Sequence, residues 1–186
     1  MRKFLLVAGL LMLFSMSAIA QEEAPKFEVY GMYTYVQVDD QEVGTDINTN
    51  GATFGVEVNT NNWFGLAGEF GFGVDNLDLG GGVEVDVDQW TLLFGPRFHA
   101  RTERFSPFAH VLAGVAHAGA DTGGVSVDET AFALAIGAGA DLNFNKNFAW
   151  RIVSADYLMT RFDAPDPSRA SRQDNVRVST GVVLRW

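Results

Sequence analysis

The chain has 186 residues, and its 23 Asp and Glu residues outnumber its 13 Lys and Arg residues, which gives a formal net charge of −10 at pH 7. A chain this acidic has no basic stripe to neutralise phosphates, which argues against nucleic-acid binding. It contains no cysteine, so hydrogen bonding and packing must hold the fold without disulfides.

The N-terminus has the pattern of a secretory signal peptide. Arg2 and Lys3 precede an apolar run from Phe4 to Phe14, and residues 17–20 read Ser-Ala-Ile-Ala, a small-x-small cleavage pattern. A transmembrane helix is the alternative, but the run is shorter than the roughly 20 apolar residues that a helical span needs. The sequence therefore predicts a signal peptide over residues 1–20 and one mature domain over residues 21–186.

After Pro25 the sequence alternates apolar residues with small or polar ones, in runs longer than an ordinary globular strand. A tilted strand needs about 9 to 11 residues to cross a bilayer, and each of these runs reaches or exceeds that length. We predict strands at 26–38, 51–60, 63–73, 84–99, 105–119, 128–143, 148–161 and 174–186.

The connections between these strands alternate in length. Short, Asn-rich or charged connections alternate with longer, acidic ones at 39–50, 74–83, 120–127 and 162–173. Short turns on one side and long loops on the other are typical of an outer-membrane barrel, with the short turns in the periplasm. The sequence predicts an all-β fold, an eight-stranded antiparallel up-and-down transmembrane β-barrel.

The two faces of the predicted strands differ in bulk. The eighth strand places Val176, Val178, Val182, Leu184 and Trp186 on one face, while its other face carries small residues and arginines. Small residues and scattered charges suit a narrow lumen, and bulky residues suit lipid. A soluble ligand-binding barrel of lipocalin type, with the bulky face inward, is the alternative. Aromatic residues near strand ends are expected to form interfacial girdles: Tyr30, Tyr33, Tyr35, Trp63, Phe64, Trp90, Phe98, Phe105, Phe148, Trp150 and Trp186.

Charged residues on the inward face are expected to form a lumen network, because an unpaired charge in a confined space costs several kcal/mol. Arg151 and Asp156 lie five positions apart and cannot both face inward on a regular strand, so we expect a β-bulge or an interfacial arginine. Arg185 is expected to pair with Glu28 where the last strand meets the first. An ion pathway is the alternative to a filled lumen. The predicted network consists of Glu28, Glu57, Glu69, Arg97, Asp141, Arg177 and Arg185.

The search for catalytic chemistry identifies no catalytic, cofactor or metal residues. His117, with Asp121, Ser126 and Glu129 close in sequence, raises the hypothesis of a lipid A hydrolase. Known lipid A deacylase barrels carry a His-x-Ser pair on one strand face, and Gly119 stands where that Ser would be. The acidic segment 74–88 matches no defined cation-binding loop and is predicted to be a solvated loop.

The C-terminal octapeptide 179–186 resembles the signal by which the barrel-assembly machinery recognises outer-membrane proteins. Its constrained positions are the polar Ser179, Gly181, the hydrophobic Leu184 and the terminal aromatic Trp186. The mature chain resembles the outer-membrane β-barrel family of the OmpA transmembrane domain, OmpX and opacity-type proteins. The segments that carry this resemblance are Tyr30–Tyr35, Asn61–Leu66, Leu93–Phe98, Ser106–His110 and Ala155–Tyr157.

The resemblance implies a location in the outer membrane and says less about activity. We expect a non-enzymatic barrel of structural or surface-interaction type without cofactors. A narrow passive pore is the first alternative and a lipid-modifying enzyme a distant one. The expected partners are outer-membrane lipid and lipopolysaccharide, with the barrel-assembly machinery and periplasmic chaperones during biogenesis. No nucleic acid is expected, and the barrel is expected to be a monomer.

Overall fold

A computed structural model describes residues 24–38, 47–78, 84–122, 125–161 and 172–186. The predicted signal peptide lies outside these residues. Over the described ranges the chain forms eight strands: β1 Phe27–Val38, β2 Ile47–Asn59, β3 Phe64–Asp78, β4 Glu84–His99, β5 Phe105–Thr122, β6 Val125–Asn143, β7 Phe148–Arg161 and β8 Arg172–Arg185. Within the same ranges, no helix is long and apolar enough to cross a membrane.

The strands form one closed antiparallel barrel in which each strand pairs with its neighbours in sequence and β8 returns to β1. The seam is completed by reciprocal backbone hydrogen bonds between Phe27 and Trp186, with N···O distances of 3.1 and 2.9 Å. Closure pairs backbone groups that an edge strand would leave unbonded, which a lipid environment does not tolerate. The predicted fold class is confirmed, as is the predicted register that sets Glu28 opposite Arg185.

The strand predictions fall short at the end of the barrel opposite the short turns. Segment 74–88 was expected to be a solvated acidic loop, yet 74–78 and 84–88 pair in register as the ends of β3 and β4. β2, β5, β6 and β8 also begin or end beyond their predicted limits. The prediction ends a strand where the alternation of apolar residues gives way to charged ones. The backbone hydrogen bonds between the strands continue past that point, because backbone pairing does not depend on side-chain polarity. The loop prediction is therefore wrong for residues 74–78 and 84–88. Residues 79–83 lie outside the described residues.

Short turns close one end of the barrel, which we call the turn end: residues 60–63, 100–104 and 144–147 together with the N-terminal residues before β1 and the C-terminus. The side-chain Oδ1 of Asn61 accepts hydrogen bonds from the backbone N–H groups of Trp63 and Phe64, at 3.0 and 2.8 Å. Asn145 repeats this pattern with Asn147 and Phe148, at 2.9 and 2.8 Å. Such local bonds are why asparagine favours tight turns.

The outer face of the barrel is apolar, and the inner face carries buried polar residues together with small and apolar ones. Large exposed hydrophobic residues alternate with these buried residues along the described strands; in β8, Val176, Val178, Val182 and Leu184 are exposed while Arg177, Ser179 and Arg185 are buried. This is the reverse of a soluble barrel, whose polar face contacts water. The soluble, lipocalin-type alternative is therefore excluded.

Candidate functional site

The lumen holds a connected set of charged side chains. The structure places all seven charged residues of the predicted network inside the barrel, each no more than 4% exposed. It adds Arg151, Asp156, His99, His110 and, at the turn end, Arg101. We call these twelve residues the lumen network. Among the described residues they comprise five carboxylates and five arginines, so the arginine and carboxylate charges balance.

The part of the network nearest the turn end is organised around Glu28 and Asp141. Glu28 accepts hydrogen bonds from Arg185 at 3.2 Å and lies 2.7 Å from Arg101. Asp141 binds Arg151 through both oxygens, at 2.8 and 3.2 Å, and accepts a further bond of 2.8 Å from Arg185. Arg185 therefore has two carboxylate partners rather than the one that the sequence predicts.

Glu57 and Glu69 occupy the middle of the lumen and share Arg97. The guanidinium of Arg97 donates to Glu57 at 3.1 Å and to Glu69 at 2.8 Å. His99 Nε2 lies 2.5 Å from the second oxygen of Glu57. The hydroxyl of Tyr30 donates to Glu69 at 3.0 Å. Each of these carboxylates thus has several donors, which is the condition under which a buried charge is tolerated.

A closed ring of hydrogen bonds lies on the far side of Arg97 from Glu57. Glu69 accepts from Arg177 at 2.7 Å, and Arg177 also donates to Asp156 at 2.9 Å. Asp156 lies 2.7 Å from His110 Nε2, and His110 Nδ1 lies 3.4 Å from Arg97. Because a guanidinium can only donate, Nδ1 must accept and Nε2–H must donate to Asp156. The ring therefore fixes the tautomer of His110.

Two arginines lie between two aromatic rings inside the lumen. The Cζ atom of Arg97 is 4.9 Å from the ring centre of Tyr30 and 4.8 Å from that of Phe108. The Cζ atom of Arg151 is 4.4 and 4.3 Å from the same two rings. These are cation–π distances, and the geometry is favourable when the groups are shielded from water. We call Tyr30, Phe108, Arg97 and Arg151 the ring sandwich.

Two glycines make room for the rings of the sandwich. A Cβ atom on Gly55 would lie 2.2 Å from the Tyr30 ring, and one on Gly139 would lie 2.4 Å from the Phe108 ring. Any larger residue would therefore displace a ring or the backbone. Glycines at inward positions thus leave space that large side chains from adjacent strands occupy.

A bulge in β7 brings Arg151 and Asp156 to the same face. The register with β8 shifts between Arg151 and Ser154, and the residues between them, Ile152 and Val153, both face outward. Arg151 and Asp156 are both buried. The bulge, one of two alternatives expected from the spacing, is confirmed, and the interfacial arginine is not.

The sequence analysis missed several residues that face the lumen. It predicts Tyr30 in an interfacial girdle, but Tyr30 is 1% exposed inside the lumen, so that prediction is wrong. Tyr30 lies two positions from Glu28, so both face the same side of the strand. His99 is related to Arg97 in the same way, and His110 to Phe108. Parity along the strand was the signal that could have identified them. It was not followed because aromatic residues and histidines are also common at interfaces.

Above the charged network, toward the end opposite the turn end, the lumen is apolar on one side. Leu112 and Leu158 take the inward positions that follow His110 and Asp156, and they form a buried cluster with Leu93 and several alanines. On the other side Thr34 bonds to Thr53 at 2.8 Å and to Ser179 at 3.0 Å. We call the leucine and alanine cluster the apolar plug.

A metal site can be drawn in the network only at Glu28, Glu57 and His99, judged over the described residues. One donor atom from each lies within 4.8 Å of the others. However, Arg101 and Arg97 already lie 2.7 Å and 3.1 Å from oxygens of these two carboxylates. A cation would have to displace an arginine, so the cluster is better described as a set of ion pairs.

The hydrolase hypothesis gains no support from His117. Its imidazole faces outward, stacks on Trp90 with ring centres 5.2 Å apart, and its Nδ1 lies 3.1 Å from the hydroxyl of Thr130. The side chains of Asp121 and Ser126 lie outside the described side chains. Glu129 is exposed. These two contacts place His117 in an aromatic cluster on the outer face.

A barrel closed without an edge, apolar outside and charged inside, belongs to the class of integral membrane β-barrels. The chain belongs to the outer membrane protein beta-barrel domain family, whose model matches residues 6–183. It is therefore an outer-membrane protein, as the sequence predicts. The turn end carries the short turns, which in this class face the periplasm.

Solved structures of small outer-membrane barrels resemble this fold. Ail of Yersinia pestis, solved in complex with the heparin analogue sucrose octasulfate, is 21% identical with a TM-score of 0.58, over 89% of this chain and 100% of its own. Neisserial surface protein A (12% identity, TM-score 0.65) and outer membrane protein W of Escherichia coli (13%, 0.51) match over the same shares. At these identities the likeness is one of fold. No match is found among curated proteins.

Proposed function

We propose that this protein is an outer-membrane barrel of structural or surface-interaction type whose lumen is closed by its own side chains. The observation that carries the proposal is the ring sandwich, in which Arg97 and Arg151 span the lumen between Tyr30 and Phe108. Each arginine is 0% exposed and bound to carboxylates. A filled lumen is also the usual condition of an eight-stranded barrel.

Opening a path through this region would require breaking buried ion pairs. Arg97 bridges Glu57 and Glu69, and Arg177 bridges Glu69 and Asp156. Leaving one such charge unpaired costs about 3 to 5 kcal/mol. Ion passage that moved Arg97 alone would leave two carboxylates without it. This cost favours a closed lumen over a constantly open one.

The test is conductance of the refolded protein in a planar bilayer. We expect no stable channels from the unaltered protein. Tyr30→Ala combined with Phe108→Ala removes both rings of the sandwich and is expected to produce conductance events. The matched control is Phe54→Ala with Phe94→Ala, which removes two exposed rings from the lipid face. Stable channels in the unaltered protein that close when Arg97 or Glu69 is neutralised would contradict the proposal.

The second candidate is a narrow pore for ions or small solutes. One observation favours it: within the described part of the chain, Arg97 Nε, Arg151 Nη1 and His99 Nδ1 are buried and have no hydrogen-bond partner. Buried polar atoms of this kind are often satisfied by water. A chain of such waters would be the start of a path, and the same conductance measurement decides between the two candidates.

We also propose that Ser179, Gly181, Leu184 and Trp186 form the assembly signal. Leu184 and Trp186 face outward and are 43% and 61% exposed, while Ser179 is buried against Thr34. Deleting Trp186 should leave the chain in periplasmic aggregates or degraded, whereas Trp186→Phe should assemble normally because an aromatic end is kept. A truncated chain that reaches the membrane in normal yield and shifts on gels when heated contradicts this role.

The signal peptide over residues 1–20 is part of the same proposal. Ala18 and Ala20 provide the small side chains that signal peptidase accepts, so protein from an outer-membrane fraction should begin at Gln21. Mass spectrometry of that fraction measures the start directly. Protein that retains Met1 there contradicts the assignment. The proposed contacts of the assembled monomer are with membrane lipid and lipopolysaccharide.

A further inference from the structure

A basin of about 990 Å³ opens at the turn end of the barrel. It lies between the residues that precede β1, the β4–β5 turn, the β6–β7 turn and the end of β8. We call it the turn-end basin. Its basic lining residues come from all four of these segments: Lys26, Arg101, Arg104, Lys146 and Arg185.

The charge of the basin opposes the charge of the chain. Among the side chains that line it, one is acidic, that of Glu103, and five are basic, although the chain carries a formal net charge of −10. Arg101 and Arg185 are compensated by the carboxylates of the lumen network. Lys26, Arg104 and Lys146 are exposed around the mouth. Positive charges around a concave mouth concentrate anions there.

Arg101 supplies a second, independent feature. Its side chain is 10% exposed and lines the basin, and it is held by Glu28 at 2.7 Å and by Asn59 Oδ1 at 2.9 Å. Its Nε is buried and has no hydrogen-bond partner among the residues that the structure describes. A guanidinium held in place by these two partners, below exposed cations at the mouth, is suited to an oxyanion.

The position of the basin indicates which oxyanion it would meet. Phe144 and Trp186 border it and are each 61% exposed. Exposed aromatic residues at a barrel end mark the level of the lipid head groups. Phosphate is the anion of that layer, and a phosphate group can accept from a guanidinium and from lysines on several sides.

We propose that the turn-end basin is a phosphate-binding site, with Arg101 as its floor and Lys26, Arg104 and Lys146 as its rim. The phosphate is carried by an anionic phospholipid head group of the periplasmic leaflet or by a soluble phosphate compound. The site depends on the orientation of the barrel and is independent of whether its lumen conducts. Conductance measurements and binding measurements can therefore fail separately.

The first arm of the test titrates inorganic pyrophosphate into protein refolded in octyl glucoside, which carries no phosphate, and follows binding by calorimetry. Arg104→Gln is expected to weaken binding by about tenfold, the equivalent of one charged hydrogen bond. Arg161→Gln is the matched control, because it removes one exposed cation from the opposite end of β7. Its affinity should equal that of the unaltered protein.

The second arm purifies the protein from mixed micelles that contain equal amounts of phosphatidylglycerol and phosphatidylcholine and measures the lipid retained. Selective retention of phosphatidylglycerol that is lost in Lys26→Gln/Arg104→Gln/Lys146→Gln supports a head-group site. Pyrophosphate binding without lipid selectivity supports a soluble ligand. All variants are first checked for heat-modifiable migration, which reports a folded barrel. Neither form of binding, or equal binding in the triple variant and Arg161→Gln, would overturn the proposal.

Discussion

The charged network and the apolar plug fill the same lumen by different physical means. In the network, Arg97 is held by two carboxylates and two aromatic rings from four different strands. In the plug, Leu112 is equally buried but is held by packing alone. Ion pairs depend on direction and on a partner, whereas apolar packing depends on volume. The network should therefore tolerate replacement less than the plug does.

Removing Arg97 should have the largest effect. Arg97→Met leaves Glu57 and Glu69 without their shared cation, and we expect a loss of about 3 to 5 kcal/mol in the free energy of unfolding. Arg97→Lys should recover little of this stability, because one ammonium group cannot replace the two guanidinium nitrogens that reach both carboxylates. Urea unfolding in lipid vesicles measures this. The control is Arg161→Met at an exposed position. A loss below about 1 kcal/mol would show that the network does not need this arginine.

Truncation in the plug should come next. Leu112→Ala removes a side chain that is 0% exposed, and its expected cost is about 2 to 5 kcal/mol. Leu112→Met should restore most of the stability, since volume-conserving replacements usually cost less than about 1.5 kcal/mol. Val111→Ala, on the lipid face at 41% exposure, is the control for side-chain truncation in the same strand. If Arg97→Lys were rescued as well as Leu112→Met, the contrast between the two regions would be wrong.

Gly55 tests the ring sandwich without removing a charge. Gly55→Ala forces the Tyr30 ring out of its place, because the new Cβ would lie 2.2 Å from it. We expect a loss of about 1 to 3 kcal/mol. Gly31→Ala is the matched control, since its Cβ would meet the exposed Phe54 ring at 3.3 Å, where a small shift relieves the contact. Equal stability of the two variants would mean that Tyr30 is not fixed by Gly55.

The smallest effect should be the coupling between Glu28 and Arg185. Each has other partners: Arg101 holds Glu28, and Asp141 holds Arg185. The coupling in a double-mutant cycle of Glu28→Gln and Arg185→Gln should therefore be near the lower end of the range for contacting residues, about 0.5 to 1 kcal/mol. The sequence predicts a larger dependence, with Glu28 as sole partner. A coupling of zero in vesicle unfolding would show that the pair contributes nothing at the seam.

The sequence determined the class of fold and most of the inward-facing positions. Alternation with a period of two sorts lipid-facing from lumen-facing residues wherever a strand is regular, so Glu57, Glu69, Arg97 and Arg177 could be placed from their parity alone. It also determined the seam, because a barrel in lipid must close and the short turns fix which residues meet there.

Only the tertiary structure decided which charges pair and how the lumen is filled. The parity of a residue along its strand shows which face of the barrel its side chain occupies. It does not show the level of the side chain along the barrel axis or which residue it meets across the lumen. The shared partners of Arg185 and the sandwich of Arg97 and Arg151 could therefore not be predicted. The bulge that turns Arg151 inward is a change of register that the spacing allowed and did not require. Tyr30 enters the lumen because Gly55 on the adjacent strand leaves space for its ring. These outcomes depend on contacts between strands, and alternation within one strand carries no information about them.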